Sequence, residues 1–261
     1  MTILDKIMAY KKKEVSRRKT LFPPTYWEKA PLFEKATISL TKALQNSGSG
    51  IIAEHKRRSP SKPIINQTIS IEKVVLGYEQ AAVCGMSILT DNHFFGGSLE
   101  DLTTARALSQ KPLLRKEFII EEYQLLEAKA HGADVILLIA ACLTRKEIET
   151  LSKAAQSLGL EVLLEVHNQE EVEKALMPSL NLLGVNNRNL KTFDVSLDNS
   201  LSLAQKIPSD FVKISESGIS TTTAIKQLQE VGYQGFLIGE HFMKTQNPGQ
   251  SATDFIKTIE G

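Results

Sequence analysis

The stretch Ile51-Ile52-Ala53-Glu54-His55-Lys56-Arg57-Arg58-Ser59-Pro60-Ser61 runs from apolar residues into charge and breaks at a proline. In an extended segment side chains alternate faces, so Glu54 and Lys56 share one face and His55 takes the other. The start, Ile51 to Ala53, lacks the polar alternation of a half-solvated strand, as expected of a parallel strand covered on both faces. The stretch therefore reads as a buried strand that delivers a carboxylate and an ammonium, side by side, to an active site. A surface ion pair beside a basic turn would have the same local sequence, so the choice rests on the remainder of the chain.

The pattern repeats downstream. Apolar or β-branched runs recur near residues 51–56, 86–90, 113–117, 135–140, 162–166, 182–186, 211–215 and 236–239, which makes eight strands. Helical patterns lie between them, several with capping starts: Ser98-x-x-Asp101, Thr144-x-x-Glu147 and Asn168-x-x-Glu171. Strand-to-strand intervals of about 20 to 35 residues match the (β/α)8 TIM barrel, at roughly 250 residues in total. An open doubly wound sheet is the competing arrangement. The count of eight and the lack of G-x-G-x-x-G after the first strand weigh against it. Upstream, residues 2–19 read as a helix with Thr2 and Asp5 as a capping-box start and Pro23-Pro24 as its stop, followed by a short helix near Ser39 to Gln45. Gly48-Ser49-Gly50 then leads flexibly into the first strand. The expectation is an α/β chain with one barrel domain over residues 1–261, in which residues 1–48 are an N-terminal helical extension.

Composition narrows the function classes. Hydrophobic residues make up 42% and charged residues 23%, near the average for globular proteins, and no apolar run approaches the roughly 18 residues that span a bilayer. Met1 to Thr20 is polar and basic without a signal-peptide core, which predicts an unprocessed cytoplasmic protein. Net charge is +1, from 31 basic and 30 acidic residues, so attraction for anions must be local, and neither nucleic acid nor a membrane is indicated as a partner. The clusters Lys11-Lys12-Lys13 and Arg17-Arg18-Lys19 read as a solvated helix face rather than a partner or RNA surface. Cys84 and Cys142 have apolar surroundings and no metal-ligand spacing, and read as reduced core residues.

In a barrel the site lies at the carboxyl ends of the strands. Those ends carry Glu54 and Lys56, Lys116, Glu165, Asn186 and Arg188, and Glu216 and Ser217. Apolar residues precede each, so the side chains should be partly desolvated. Burial lowers a lysine pKa and raises a glutamate pKa while mutual attraction opposes both, which predicts groups able to exchange protons near neutrality. An ion-pair brace around the mouth is the structural alternative. Glu216-Ser217-Gly218 and Leu237-Ile238-Gly239-Glu240 place glycines after the last two strands, where barrels commonly cradle a phosphate on backbone N–H groups. Phe94 and Phe95 in the loop after the second strand, with Phe118, suggest a pocket for a planar apolar group.

With these residues in place, the chain resembles the indole-3-glycerol phosphate synthase family over essentially its whole length. The resemblance rests on Ile51-Ile-Ala-Glu-His-Lys-Arg-Arg-Ser-Pro-Ser61, Ser87-Ile-Leu-Thr-Asp91, Leu114-Arg-Lys-Glu-Phe118, Leu164-Glu-Val-His167, Gly184-Val-Asn-Asn-Arg188, Ser215-Glu-Ser-Gly218 and Phe236-Leu-Ile-Gly-Glu240. It implies a lyase of tryptophan biosynthesis that closes and decarboxylates 1-(2-carboxyphenylamino)-1-deoxyribulose 5-phosphate, with no cofactor or metal. By position it implies Lys116 as general acid for ring closure and Glu165 as general base. Glu54 and Lys56 would serve the later dehydration, with the division of acid roles between the two lysines left open. Asn186, Glu216 and Ser217 would orient substrate and catalytic groups, with Arg188 beside them. Gly218, Gly239 and Glu240 would hold phosphate, with Ser59 as a further contact, and Phe95, Phe118 and Leu237 would wall the anthranilate ring. The partner is then a phosphorylated small molecule, and the expected working unit a monomer that can associate with other tryptophan-pathway enzymes.

Two positions depart from the family pattern: Glu117, where aspartate is more usual, and His55, where an apolar residue is. Both fall on the face opposite the catalytic one, where little effect is expected. Phosphoribosylanthranilate isomerase, a rival phosphate-binding barrel, resembles a Cys-Gly pair ending its first strand, whereas Cys84-Gly85 here precedes the second. A non-catalytic barrel that binds a partner through its basic first helix would require no particular residues at the strand ends.

Overall fold

In the computed structural model, residues 2–190 and 192–260 are described; Met1, Lys191 and Gly261 of the expected domain span lie outside them. Eight parallel strands close into a barrel in sequence order: β1 (Ile51–His55), β2 (Gly85–Leu89), β3 (Leu113–Lys116), β4 (Val135–Ile139), β5 (Glu161–Val166), β6 (Leu182–Asn186), β7 (Val212–Glu216) and β8 (Gly235–Ile238). The ring is shut by β1 on β8, with Ile51 opposite Phe236 and Ala53 opposite Ile238. The strands lie within about a residue or two of the runs read from sequence, because a strand buried on both faces is a short apolar block with polar ends.

The connecting helices are α4 (Ile71–Gln80), α5 (Asn92–Phe95), α6 (Leu99–Leu108), α7 (Tyr123–Ala130), α8 (Arg145–Ser157), α9 (Gln169–Ala175), α10 (Asp198–Leu203) and α11 (Thr222–Glu230), and α12 (Glu240–Met243) and α13 (Pro248–Glu260) follow β8. Thr144 and Glu147 form a complete capping box. Ser98 and Asn168 cap their helices without a complete capping box: Asp101 takes the Arg57 guanidinium at 2.5 and 2.8 Å, and Glu171 accepts from the Asn168 side chain at 3.1 Å and the His167 N–H at 2.8 Å. Strand alternation separates two cores. Ile52, Leu114, Leu137, Leu163, Leu182, Ile214 and Leu237 fill the barrel, and their sequence neighbours pack outward on the helices.

The extension comprises α1 (Ile3–Leu21), α2 (Pro24–Trp27) and α3 (Leu40–Gln45). Thr2 and Asp5 form the expected capping box. Leu40 and Leu44 of α3 join the barrel-interior cluster, and Glu161 at the start of β5 accepts the Leu40 and Thr41 N–H groups at 2.9 and 3.0 Å. Trp27 donates to the Tyr123 hydroxyl at 2.9 Å, which fastens the extension to α7. The expected solvated lysine face needs correction. Lys11 is 1% exposed and makes ion pairs to Glu14, Asp91 and Glu117 at 2.7, 2.9 and 3.0 Å. It sits between the loops after β2 and β3 because it falls one helical turn from Ile7 and Val15 on the buried stripe of α1. Cys84 is buried, Cys142 is partly buried, and both are free thiols. Among the described residues no helix is long and apolar enough to cross a membrane.

Candidate active site

The carboxyl ends of the strands surround one cavity of about 550 Å³. Glu54, Lys56, Lys116, Glu165, Asn186, Glu216 and Ser217 line it, as do Ser59, Phe95, Phe118, Arg188, Gly218, Leu237, Gly239 and Glu240. Ile3, Leu4 and Ile7 of α1 also line it, so the extension covers part of the mouth. This was not read from sequence, although all three are apolar positions of the first helix.

Strand parity brings the charges together. Glu54 and Lys56 are two residues apart and pair at 2.6 Å; Ser87, opposite Glu54 on β2, donates to its other oxygen at 3.3 Å. Lys116 at the end of β3 touches Glu216 of β7 and lies 3.4 Å from Glu165 of β5. Asn186 donates its side-chain N–H to Glu165 at 3.1 Å. Two glycines make room for the carboxylates: a Cβ on Gly184 would stand 2.3 Å from Glu216 Oε1, and one on Gly239 would stand 2.5 Å from Glu54 Oε1.

The expectation that all these groups exchange protons near neutrality is corrected by the balance of burial against attraction. Burial raises Glu54 and Glu165, but Lys56 and Lys116 at Glu54, and Lys116, His167 and Asn186 at Glu165, outweigh it and hold both below the usual carboxylate range. Burial lowers Lys116, yet Glu216, Glu165 and Glu54 together hold it above the usual lysine range. Three carboxylates thus compete for one deeply placed ammonium, and one of them is left short. That one is Glu216, which burial and the repulsion of Glu165 and Glu54 push up to about 7 despite Lys116.

The aromatic wall and the glycine turns flank this cluster. Phe95 and Phe118 lie with ring centroids 5.9 Å apart, while Phe94 turns away to meet Tyr10 of α1 edge-on at 5.8 Å. Asp91 sets this division by capping α5, accepting from the Phe94 and Phe95 N–H groups at 2.7 and 3.2 Å. Ser217 and Gly218 both adopt positive φ, 70° and 78°, in the turn that follows β7. Ser217 is held there by Asn187, which donates to its carbonyl at 3.1 Å. Arg188 donates to the Phe193 carbonyl at 3.2 Å, and Lys62 pairs with Glu240 at 2.5 Å, joining the loops after β1 and β8. His55 does not line the cavity, whereas Glu117, expected on the opposite face, is among the lining residues while its carboxylate binds Lys11 and Thr90, because it lies just past the end of β3 where strand alternation no longer fixes the face.

The fold and the cluster of buried ionisable groups define a (β/α)8 barrel with a cavity at the carboxyl ends of its strands. Residues 4–255 match the family model for indole-3-glycerol phosphate synthase. The chain is 47% identical over 258 residues to indole-3-glycerol phosphate synthase of Bacteroides thetaiotaomicron, covering 99% of each chain, and 41% identical over 251 residues to that of Polaromonas sp., covering 95% of each. The chain belongs to the indole-3-glycerol phosphate synthase family. Among solved structures, 3-hexulose-6-phosphate synthase from Salmonella typhimurium aligns with a TM-score of 0.62 at 13% identity, covering 81% of this chain and 98% of that one; this likeness is one of fold.

Proposed function

We propose that this chain converts 1-(2-carboxyphenylamino)-1-deoxyribulose 5-phosphate to indole-3-glycerol phosphate by ring closure, decarboxylation and dehydration, a carboxy-lyase step of tryptophan biosynthesis. The observation that carries the reading is the placement of Lys116 between Glu165 and Glu216 in a cavity walled by Phe95 and Phe118. As the anthranilate ring carbon bonds to the ribulose carbonyl carbon, the carbonyl electrons move onto oxygen, and Lys116 gives that oxygen a proton. A lysine held charged is a dependable donor, because the forming alkoxide is a far stronger base than the carboxylates around it. Carbon dioxide leaves from the same ring carbon, and its bonding pair restores the aromatic ring. In the dehydration the new hydroxyl departs as water with a proton from Lys56, paired with Glu54, while Glu165 takes the proton lost from the carbon next to nitrogen.

Asn186, Glu216 and Ser217 orient these groups. The phosphate rests on backbone N–H groups of Gly218, Gly239 and Glu240, with Ser59 and Arg188 as further substrate contacts, and the ring lies against Phe95, Phe118 and Leu237. The reaction is redox-neutral and each proton has a side-chain source or sink, so the reading includes no cofactor. It takes residues 1–261 as one domain with residues 1–48 as its extension, acting as a cytoplasmic monomer that can associate with other enzymes of the pathway.

The purified protein should turn this substrate into a fluorescent indole product without added cofactor or metal; absence of turnover overturns the assignment. Loss of a general acid costs about 10² to 10⁴ in rate, so Lys116→Ala should fall at least that far while still binding substrate. An unchanged rate removes Lys116 from the chemistry.

A further inference from the structure

His167 lies just beyond β5, two residues after Glu165, and strand parity turns both side chains to the same face. Its ring is mostly buried, with Nε2 3.4 Å from Glu165 Oε1 and Nδ1 3.3 Å from Glu171 Oε2. Glu171 also accepts the His167 backbone N–H at 2.8 Å, and α9 holds Glu171 in place because Asn168 caps the Glu171 N–H at 2.9 Å. The two oxygens of Glu165 consequently differ. Oε1 faces Asn186 and His167, whereas Oε2 faces Lys116.

We propose that His167 is a positioning residue for Glu165: as an imidazolium bridging Glu171 and Glu165, it holds Oε1 and leaves Oε2 directed at the reacting carbon. The inference rests on the reading of Glu165 as general base. The groups around the ring favour the charged form. Burial opposes it, but Glu171 on α9, Glu165 on β5 and Glu216 on β7 outweigh burial and hold the ring above the usual histidine range. The nearby cations are engaged elsewhere: Lys116 is paired with Glu216 and Glu165, and Lys174 of α9 donates to the Ala140 and Leu143 carbonyls at 2.5 and 2.6 Å.

The test compares His167→Gln, Glu171→Gln and the double variant by the pH dependence of kcat/KM, alongside kcat, KM and Tm. Removing a cation from beside a carboxylate returns its pKa by about one unit or more, so the acid limb should move up by about that much in His167→Gln. Misdirected Oε2 should lower kcat about ten-fold or more, with KM little changed. Glu171→Gln should move the limb the same way by less, and the double variant should add nothing to His167→Gln. An unmoved limb with wild-type kcat, or a loss confined to Tm, overturns the proposal. Should His167→Gln not fold, the limb of Glu171→Gln decides in the same sense. Glu165→Gln separates the two readings: full activity in that variant overturns Glu165 as base, whereas an inactive Glu165→Gln beside an unaffected His167→Gln overturns only the role of His167.

Discussion

His55 and Glu216 are buried ionisable residues displaced in opposite senses relative to the unfolded chain. Burial, with Arg57 nearby, pushes the His55 ring down to about 4, and neither of its nitrogens has a hydrogen-bond partner among the described residues. Between that value and the unfolded 6.5 the unfolded chain binds the extra proton, so the stability His55 contributes is complete above pH 6.5 and drains as pH falls toward 4. Glu216, raised to about 7 from an unfolded 4.5, has the reverse sign: the folded state binds the extra proton, so its contribution improves as pH falls from 7 to 4.5. Over most of this range the two slopes oppose one another. His55→Leu should therefore gain stability relative to the parent as pH falls from 7 to 4.5, by about 1.4 kcal/mol for each unit of displacement removed. Glu216→Gln should lose stability over the same range. Urea titrations at several pH values measure both, and parallel curves for parent and His55→Leu would contradict the assignment.

At the scale of elements, the first helix is a part of the mouth. Lys11 ties Asp91, which caps the helix carrying Phe95, to Glu117, which sits between Lys116 and Phe118. Removing one partner of a buried ionic cluster leaves uncompensated charge, so Lys11→Met should destabilise by about 3 kcal/mol. At temperatures where the variant stays folded, turnover should still fall, because the loops after β2 and β3 at the cavity mouth lose their common anchor; wild-type turnover there would show the anchor to be dispensable. The strands and helix starts were legible because each rests on a local pattern: an apolar block, or an oxygen-bearing residue three positions before an acid. The convergence of Glu54, Lys116, Glu165 and Glu216 was legible for the same reason, since parity fixes the face and the barrel fixes the end. Lys11 was obscured by its lysine neighbours, although the spacing Ile7, Lys11, Val15 held the signal. The protonation balance was not legible, because it depends on distances between side chains far apart in the sequence, 100 residues for Lys116 and Glu216.

Across the whole molecule, the barrel is completed by contacts between its beginning and its end. β1 pairs with β8, and α13 packs on α4 at a crossing where Gly249 and Gly77 meet. A Cβ on Gly249 would stand 2.4 Å from the Gly77 Cα, backbone against backbone. Alanine in a helix is ordinarily favoured over glycine by up to about 1 kcal/mol. Here the sign should invert, and Gly249→Ala should lower unfolding free energy by about 1 to 3 kcal/mol, as over-packing does; a variant as stable as the parent in denaturant titration would contradict so close a crossing. The same contact bears on synthesis. A ribosome delivers β1 and α4 well before β8 and α13, the partners that cover β1's open edge and the Gly77 face of α4. Until then the nascent chain carries an unpaired strand edge and an uncovered helix. The ring therefore closes only once β8 and α13 have both been made, and truncation within α13 should send newly made protein to chaperones or aggregates rather than to a slightly weakened enzyme.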